Sequence, residues 1–116
     1  MNADIDALIE ELRAFAEVRD WSQFHSPKNL ACALSVEAGE LLENFQWLTD
    51  EQSRNLTEDQ RQAAMMEVAD VFLYLLQLCD SLHIDPLRAA HDKLVLNDQK
   101  YPVDLARGNS KKYTDL

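Results

Sequence analysis

Apolar residues recur at helical spacing in four stretches of this chain, and that pattern predicts an all-α fold. In the first stretch Ile5, Leu8, Ile9, Leu12, Phe15 and Ala16 alternate with acidic residues, which predicts an amphipathic helix from Asp4 to about Arg19, capped by Asn2 or Asp4. Residues 20–25 lose the period. They hold Trp21 and Phe24, two large aromatics that water would not keep, so the segment is expected to be an ordered connector. Ser26-Pro27 then supplies a capping hydroxyl and a proline at the first helical position, opening a second helix that should run to about Trp47. The polar stretch Thr49 to Leu56 is expected to be a loop. Thr57-Glu58-Asp59-Gln60 is a capping box, and the third helix should extend from it to about Leu82. Asp85-Pro86 repeats the cap-plus-proline signal for a fourth helix, which Tyr101-Pro102 ends after about Lys100.

Two acidic pairs disturb this pattern. Glu37 and Glu40, and then Glu67 and Asp70, stand three residues apart, so each pair lies on one helix face. Glu37 interrupts the stripe Leu30, Leu34, Leu41, Phe45, and Glu67 interrupts the stripe Ala63 or Ala64, Val71, Tyr74, Leu78. On an ordinary soluble helix those would be core positions. The second and third helices, joined by about ten residues, are expected to pack antiparallel and to bring the pairs face to face. Four carboxylates near 6 Å apart would repel by roughly 3 kcal/mol per pair at an effective dielectric of about 20. Six such pairs rival the ~5–15 kcal/mol that holds a domain together. A hard divalent cation relieves that repulsion, and Mg²⁺ in particular takes oxygen ligands while keeping positions for water and phosphate. Solvated faces for both pairs are the bland alternative, and the apolar flanks speak against it.

The 116 residues suit one domain, read as a helical part over residues 1–102 and a tail over 103–116. The tail lacks an apolar period and carries Arg107, Lys111 and Lys112, which suits either a solubilising end or a mobile lid over phosphates. With 47% hydrophobic residues the chain can bury a core, and two glycines with three prolines fit long helices and few turns. Gly39, inside the second helix, is expected to serve close approach of another helix or of a ligand. A net charge of −10 disfavours a nucleic-acid polymer or an anionic membrane as partner, but not a small anion that arrives with its metal. Cys32 and Cys79 lie in apolar helical context without metal-ligand spacing and are read as buried free thiols of a cytoplasmic protein. Met1 to Asp4 lack the features of a signal peptide, and the run Val71 to Leu76 is too short to span a bilayer. The second half of the third helix, Val71 to Cys79, is apolar on nearly every face. Four helices of one protomer can hardly cover it, which predicts an oligomer.

The chemistry that suits the acidic pairs is metal-assisted attack on a phosphate chain, one carboxylate orienting or deprotonating the water. No nucleophilic triad, Walker-type loop or zinc spacing competes. A di-iron bundle would need Glu-x-x-His on two helices, and only Asp80-x-x-His83 comes near it. His25, His83 and His91 each suit surface or cap positions better than ligand positions, and His25, among the connector's aromatics, is the one to watch. Trp21 and Trp47 bracket the second helix; each could fill the core, or Trp47 of one subunit could approach Trp21 of another and form a slot for a planar base.

The series Arg19-Asp20-Trp21-x-Gln23-Phe24-His25, Glu37-x-Gly39-Glu40-Leu41-x-Glu43-x-Phe45-Gln46-Trp47 and Glu67-x-x-Asp70-Val71-x-x-Tyr74-Leu75 resembles the MazG-like all-α nucleoside triphosphate pyrophosphohydrolases, and most closely their dCTP pyrophosphatase branch. The resemblance continues through Lys93-x-x-x-Asn97, Tyr101-Pro102 and Ala106-Arg107-x-x-Ser110-x-Lys112-Tyr113-Thr114, nearly the whole chain. It implies a four-helix bundle assembling as a dimer of dimers, which cleaves a nucleoside triphosphate to monophosphate and pyrophosphate with Mg²⁺. It also implies Glu37, Glu40, Glu67 and Asp70 as metal ligands, one glutamate serving the water. Trp21 and Trp47 would sandwich the base near His25, and Tyr74, Lys93, Asn97 and Tyr101 would contact sugar or phosphates. The dCTP-selective animal members carry a histidine in the first helix where this chain has Leu12, a departure that bears on cytosine selectivity. The expected substrate is dCTP or a modified pyrimidine dNTP. A catalytically silent helical oligomer that binds nucleotide or a protein partner is the alternative.

Overall fold

A computed structural model describes residues 2–116, and the described residues are helical, with no strand. They divide into two compact units, Met1–Ile84 and Asp85–Leu116. The first unit contains α1 (Ala3–Val18), α2 (Pro27–Glu43), a short α3 (Asp50–Arg54) and α4 (Glu58–Ser81). The second contains α5 (Pro86–Lys100), α6 (Val103–Ala106) and a closing 3₁₀ turn, Tyr113–Asp115.

The caps that the sequence signals are in place. Asn2 Oδ1 accepts from the backbone N–H groups of Asp4 and Ile5, and Ser26 Oγ accepts from Asn29 at 3.2 Å, with Pro27 opening α2. Thr57 and Gln60 exchange hydrogen bonds with each other's backbone at the start of α4, and Asp85 Oδ1 accepts from Leu87 and Arg88 ahead of Pro86. Each cap satisfies donors that a helix start leaves open.

α4 packs chiefly on α2 and to a smaller extent on α1. Both interrupted stripes face inward: Leu30 and Ala64 are buried, and Leu34, Glu37, Leu41, Phe45, Glu67, Val71, Tyr74 and Leu78 are half-buried. Leu76 has no exposed surface. By length and composition α4 could also cross a membrane, which the run Val71 to Leu76 alone did not suggest. Here protein covers part of it instead, and Glu67 and Asp70 sit at its middle, where a carboxylate in a bilayer would cost about 2.5–3.5 kcal/mol.

Several expectations are corrected. α2 stops at Glu43 rather than near Trp47, because the Asn44 side chain donates to the carbonyls of Glu40 and Leu41 at 3.2 and 3.4 Å and the chain tightens into turns. The expected loop at 49–56 contains α3, opened by a second capping box, Thr49 with Gln52. Cys79 is a buried free thiol, whereas Cys32 is exposed, since it falls on the side of α2 turned away from the Leu30–Glu37–Leu41 stripe. Gly39 meets no close neighbour within the chain: a Cβ there would have nothing within 4 Å.

α1 and α4 both end on a non-glycine residue in the left-handed region, Asp20 at φ 55° and His83 at φ 57°. At the first, the Trp21 N–H reaches Ala16 O (2.9 Å) and the Asp20 N–H reaches Glu17 O (3.0 Å); at the second, Ile84 and His83 bond Cys79 and Asp80 in the same way. These paired bonds define the Schellman ending.

Candidate metal centre and adjoining cleft

α2 and α4 place the acidic pairs against one another. One carboxylate oxygen each from Glu37, Glu67 and Asp70 lies within 4.8 Å of the others. Oxygens that share one hard divalent cation stand about 3–5 Å apart, so these three fit such an ion. The Glu40 carboxyl lies against those of Glu37 and Glu67. Glu37 Oε2 and Glu67 Oε2 are shut off from water with no hydrogen-bond partner. A carboxylate oxygen shut off from water without a partner is disfavoured in its charged form, and a cation relieves this.

The titration of the group reflects this crowding. Glu37 is pushed up to about 7, first by the Glu40 carboxyl with which it can share a proton, then by loss of water and by the charges of Glu40, Asp70 and Glu67. Glu67 is also raised, chiefly by loss of water and then by the charges of Glu40 and Asp70.

Asp70 has a second surroundings. With Trp21, His25, Tyr74, Leu12 and Gln77 it lines a cleft of about 220 Å³ between α1, the connector and α4. Beyond it lies a cavity of about 160 Å³ that shares Leu12, His25 and Gln77 and ends on Arg13 and Asp80. Arg13 grips Asp80 with a two-pronged guanidinium fork, Nε to Oδ2 at 2.9 Å, tying α1 to α4. That pairing lowers the Asp80 carboxyl below its usual range and leaves it no role in an Asp80–His83 metal motif.

The connector holds its aromatic residues in place by local bonds. Gln23 Nε2 donates to both the carbonyl and the carboxylate of Asp20 at 3.0 Å, and Asn29 Nδ2 donates to Phe24 O at 2.9 Å. Trp21 meets Phe15 edge-on with ring centroids 5.9 Å apart, and the Arg19 guanidinium lies 3.6 Å over the other aromatic partner, Phe15. Trp21 therefore stands as a fixed wall of the cleft, 46% exposed toward it and solvent.

Of the residues singled out in the sequence, the structure brings Glu37, Glu40, Glu67 and Asp70 together, and Trp21, His25 and Tyr74 into the adjoining cleft. Trp47 is elsewhere: it is 87% exposed past the far end of α2. The helix between the two tryptophans has 17 residues, about 25 Å at 1.5 Å per residue. Lys93, Asn97 and Tyr101 follow one face of α5 in the second unit, where Tyr101 packs edge-on with Tyr113 at 6.0 Å and Lys100 Nζ lies 4.8 Å over the Tyr113 ring. Sequence reading passed over Arg13 and Gln77. The available signal for Gln77 was register: it sits one turn beyond Tyr74 and two beyond Asp70 on the same face of α4.

A model of the MazG-like family matches residues 32–116, which include both acidic pairs. The chain belongs to the MazG-like family. Among curated relatives, dCTP pyrophosphatase 1 of Rattus norvegicus is 47% identical over 104 residues, and that of Homo sapiens 43% over the same length. The match covers 88% of this chain and 61% of each relative, so the chain spans about three fifths of the length of the curated relatives it matches. The crystal structure of a pyrophosphatase from Archaeoglobus fulgidus superposes with a TM-score of 0.82 at 39% identity, covering 88% of this chain and 95% of that one. That match covers more of the chain than the family model's residues 32–116.

Proposed function

We propose that this chain is a Mg²⁺-dependent pyrophosphohydrolase of a nucleoside triphosphate, dCTP or a modified pyrimidine dNTP, and that it clears such nucleotides from the cytoplasmic pool. The observation that carries the reading is Asp70, which belongs both to the carboxylate cluster and to the wall of the aromatic cleft. Phosphates held at the cluster would leave the nucleoside beside Tyr74, Trp21 and His25. The names of the dCTP pyrophosphatase relatives and of the archaeal pyrophosphatase support the same chemistry.

In this reading Glu37, Glu40, Glu67 and Asp70 hold Mg²⁺. Bound there, the ion supplies charge neutralisation on the phosphate chain and acidifies water. One of the glutamates takes the proton of the attacking water. The bond between the α- and β-phosphates breaks, and pyrophosphate leaves with the electron pair. Trp21 stacks on the base, and Tyr74, Lys93, Asn97 and Tyr101 contact sugar or phosphates.

The protomer is proposed to be an antiparallel four-helix bundle, assembling as a dimer of dimers. Met65, Val68, Phe72 and Leu75 on α4, with Leu82 at its C-cap, follow the three-and-four spacing of a helix–helix seam and are 39–52% exposed. The separation of Trp47 from Trp21 within one chain fits a slot closed by Trp47 of a second copy.

The test is a panel of dNTPs and NTPs incubated with Mg²⁺, with monophosphate and pyrophosphate both quantified. Release of equal amounts of the two, with dCTP or a 5-substituted dCTP among the best substrates, is expected. Thermal stabilisation by nucleotide without any turnover would instead identify a silent binder.

A further inference from the structure

We infer that Gln77 reads the polar edge of the substrate's base, an inference that rests on the nucleotide reading of the cleft. Asp70, Tyr74 and Gln77 occupy successive turns of one face of α4. From Asp70 to Gln77 the helix climbs about 10 Å at 1.5 Å per residue, comparable to the span of a nucleoside from its phosphate to the far edge of its base. With phosphates at Asp70 and the sugar beside Tyr74, a base stacked on Trp21 presents that edge to Gln77.

Three observations point to this residue. His25 on the connector shares the lining of both spaces, while Gln77 alone continues the α4 face of Asp70 and Tyr74. Gln77 lines both the cleft and the cavity behind it, so it stands where the two meet. It is half-buried, and none of the side-chain hydrogen bonds among the described residues involves it, so its carbonyl and its NH₂ group are free to pair with a ligand. The facing position on α1 is Leu12, which has no polar atom to offer, while Asp80 is occupied by Arg13. An amide can accept from an exocyclic amine or donate to a ring carbonyl. Base discrimination therefore depends on which of the two it does.

The experiment compares kcat/KM for dCTP and dUTP, and the Kd of each in Ca²⁺ from tryptophan fluorescence, in the parent, Gln77→Glu and Gln77→Leu. Glutamate has the same shape but only accepts, so it should favour the amine-bearing base and raise the dCTP-to-dUTP ratio by at least about 10-fold. Leucine removes both functions and should bring the two substrates within about threefold while weakening both. Circular dichroism and melting confirm that the isosteric Glu variant folds. A parent that cleaves both nucleotides, with a ratio that neither variant changes by more than twofold, overturns the assignment of Gln77 alone. A parent that neither cleaves nor binds either nucleotide overturns the nucleotide reading together with it.

Discussion

Glu37 concentrates the energetics of the centre in one side chain. Its carboxyl is pushed up to about 7 in the folded protein against 4.5 for the free group. The folded state therefore holds a proton that the unfolded chain releases, and the associated stability is present below about pH 4.5 and lost as pH rises through about 7. Metal-free protein should melt at a lower temperature at pH 7.5 than at pH 5, and Mg²⁺ should recover much of the difference because it replaces the proton. Glu37→Gln keeps the shape without the charge. We expect it to flatten that pH slope, to raise the metal-free melting temperature at pH 7.5, and to lower kcat by at least about 100-fold. Calorimetry across pH with and without Mg²⁺, beside a pyrophosphate assay, reads all three. A variant as active as the parent would remove the carboxylate cluster from the chemistry.

At the scale of the element, helix ends do much of the positioning. The Schellman ending of α1 turns the chain at Asp20 and delivers Trp21 against Phe15, and the equivalent ending of α4 turns it at His83. A non-glycine residue in the left-handed region costs roughly 1–2 kcal/mol, part of which glycine recovers after its own entropic penalty. His83, exposed at the end of the first unit, is the safer place to test this. His83→Gly is expected to stabilise by roughly 0.5–1 kcal/mol, read as a higher urea midpoint at unchanged slope. A lower midpoint would mean that the imidazole makes a contact worth more than the strain. α3 teaches a related lesson about length. Thr49 to Gln52 has the same capping-box signature as Thr57 to Gln60, but the polar run behind it has no apolar period, so its five helical residues are legible only in the structure.

For the whole molecule the decisive fact is how little is buried. Among the described residues the buried hydrophobic side chains are Ala16, Leu30, Ala64, Leu76 and Cys79, while Val68, Phe72, Leu75 and Trp47 are exposed. In the oligomer proposed above this apolar seam forms the interface. Val68→Lys, on the seam, is expected to shift sedimentation from an oligomer to smaller species. Hydrolysis should fall by about 10-fold or more with it, since the slot would lose its second tryptophan. An unchanged mass for the variant would place the interface elsewhere on the chain.

The residues by themselves determined the helices, because caps, prolines and the 3.6-residue period are local properties, and the ends of α1, α4 and α5 fall within a residue or so of where those signals stand. They also determined that Glu37 and Glu67 face inward, because the stripes those carboxylates interrupt are written in the spacing. Tertiary structure alone decided which side chains share a space. Asp70 joins the cluster to the cleft, Arg13 takes Asp80 out of contention as a ligand, and Gln77 faces Leu12 only once α4 is laid beside α1. No periodicity encodes those meetings, since they depend on the separation and rotation of two helices and not on the spacing within either. The exposure of Cys32 follows from the same cause: an apolar neighbourhood in sequence says which residues are near, and only packing says which side of the helix is covered.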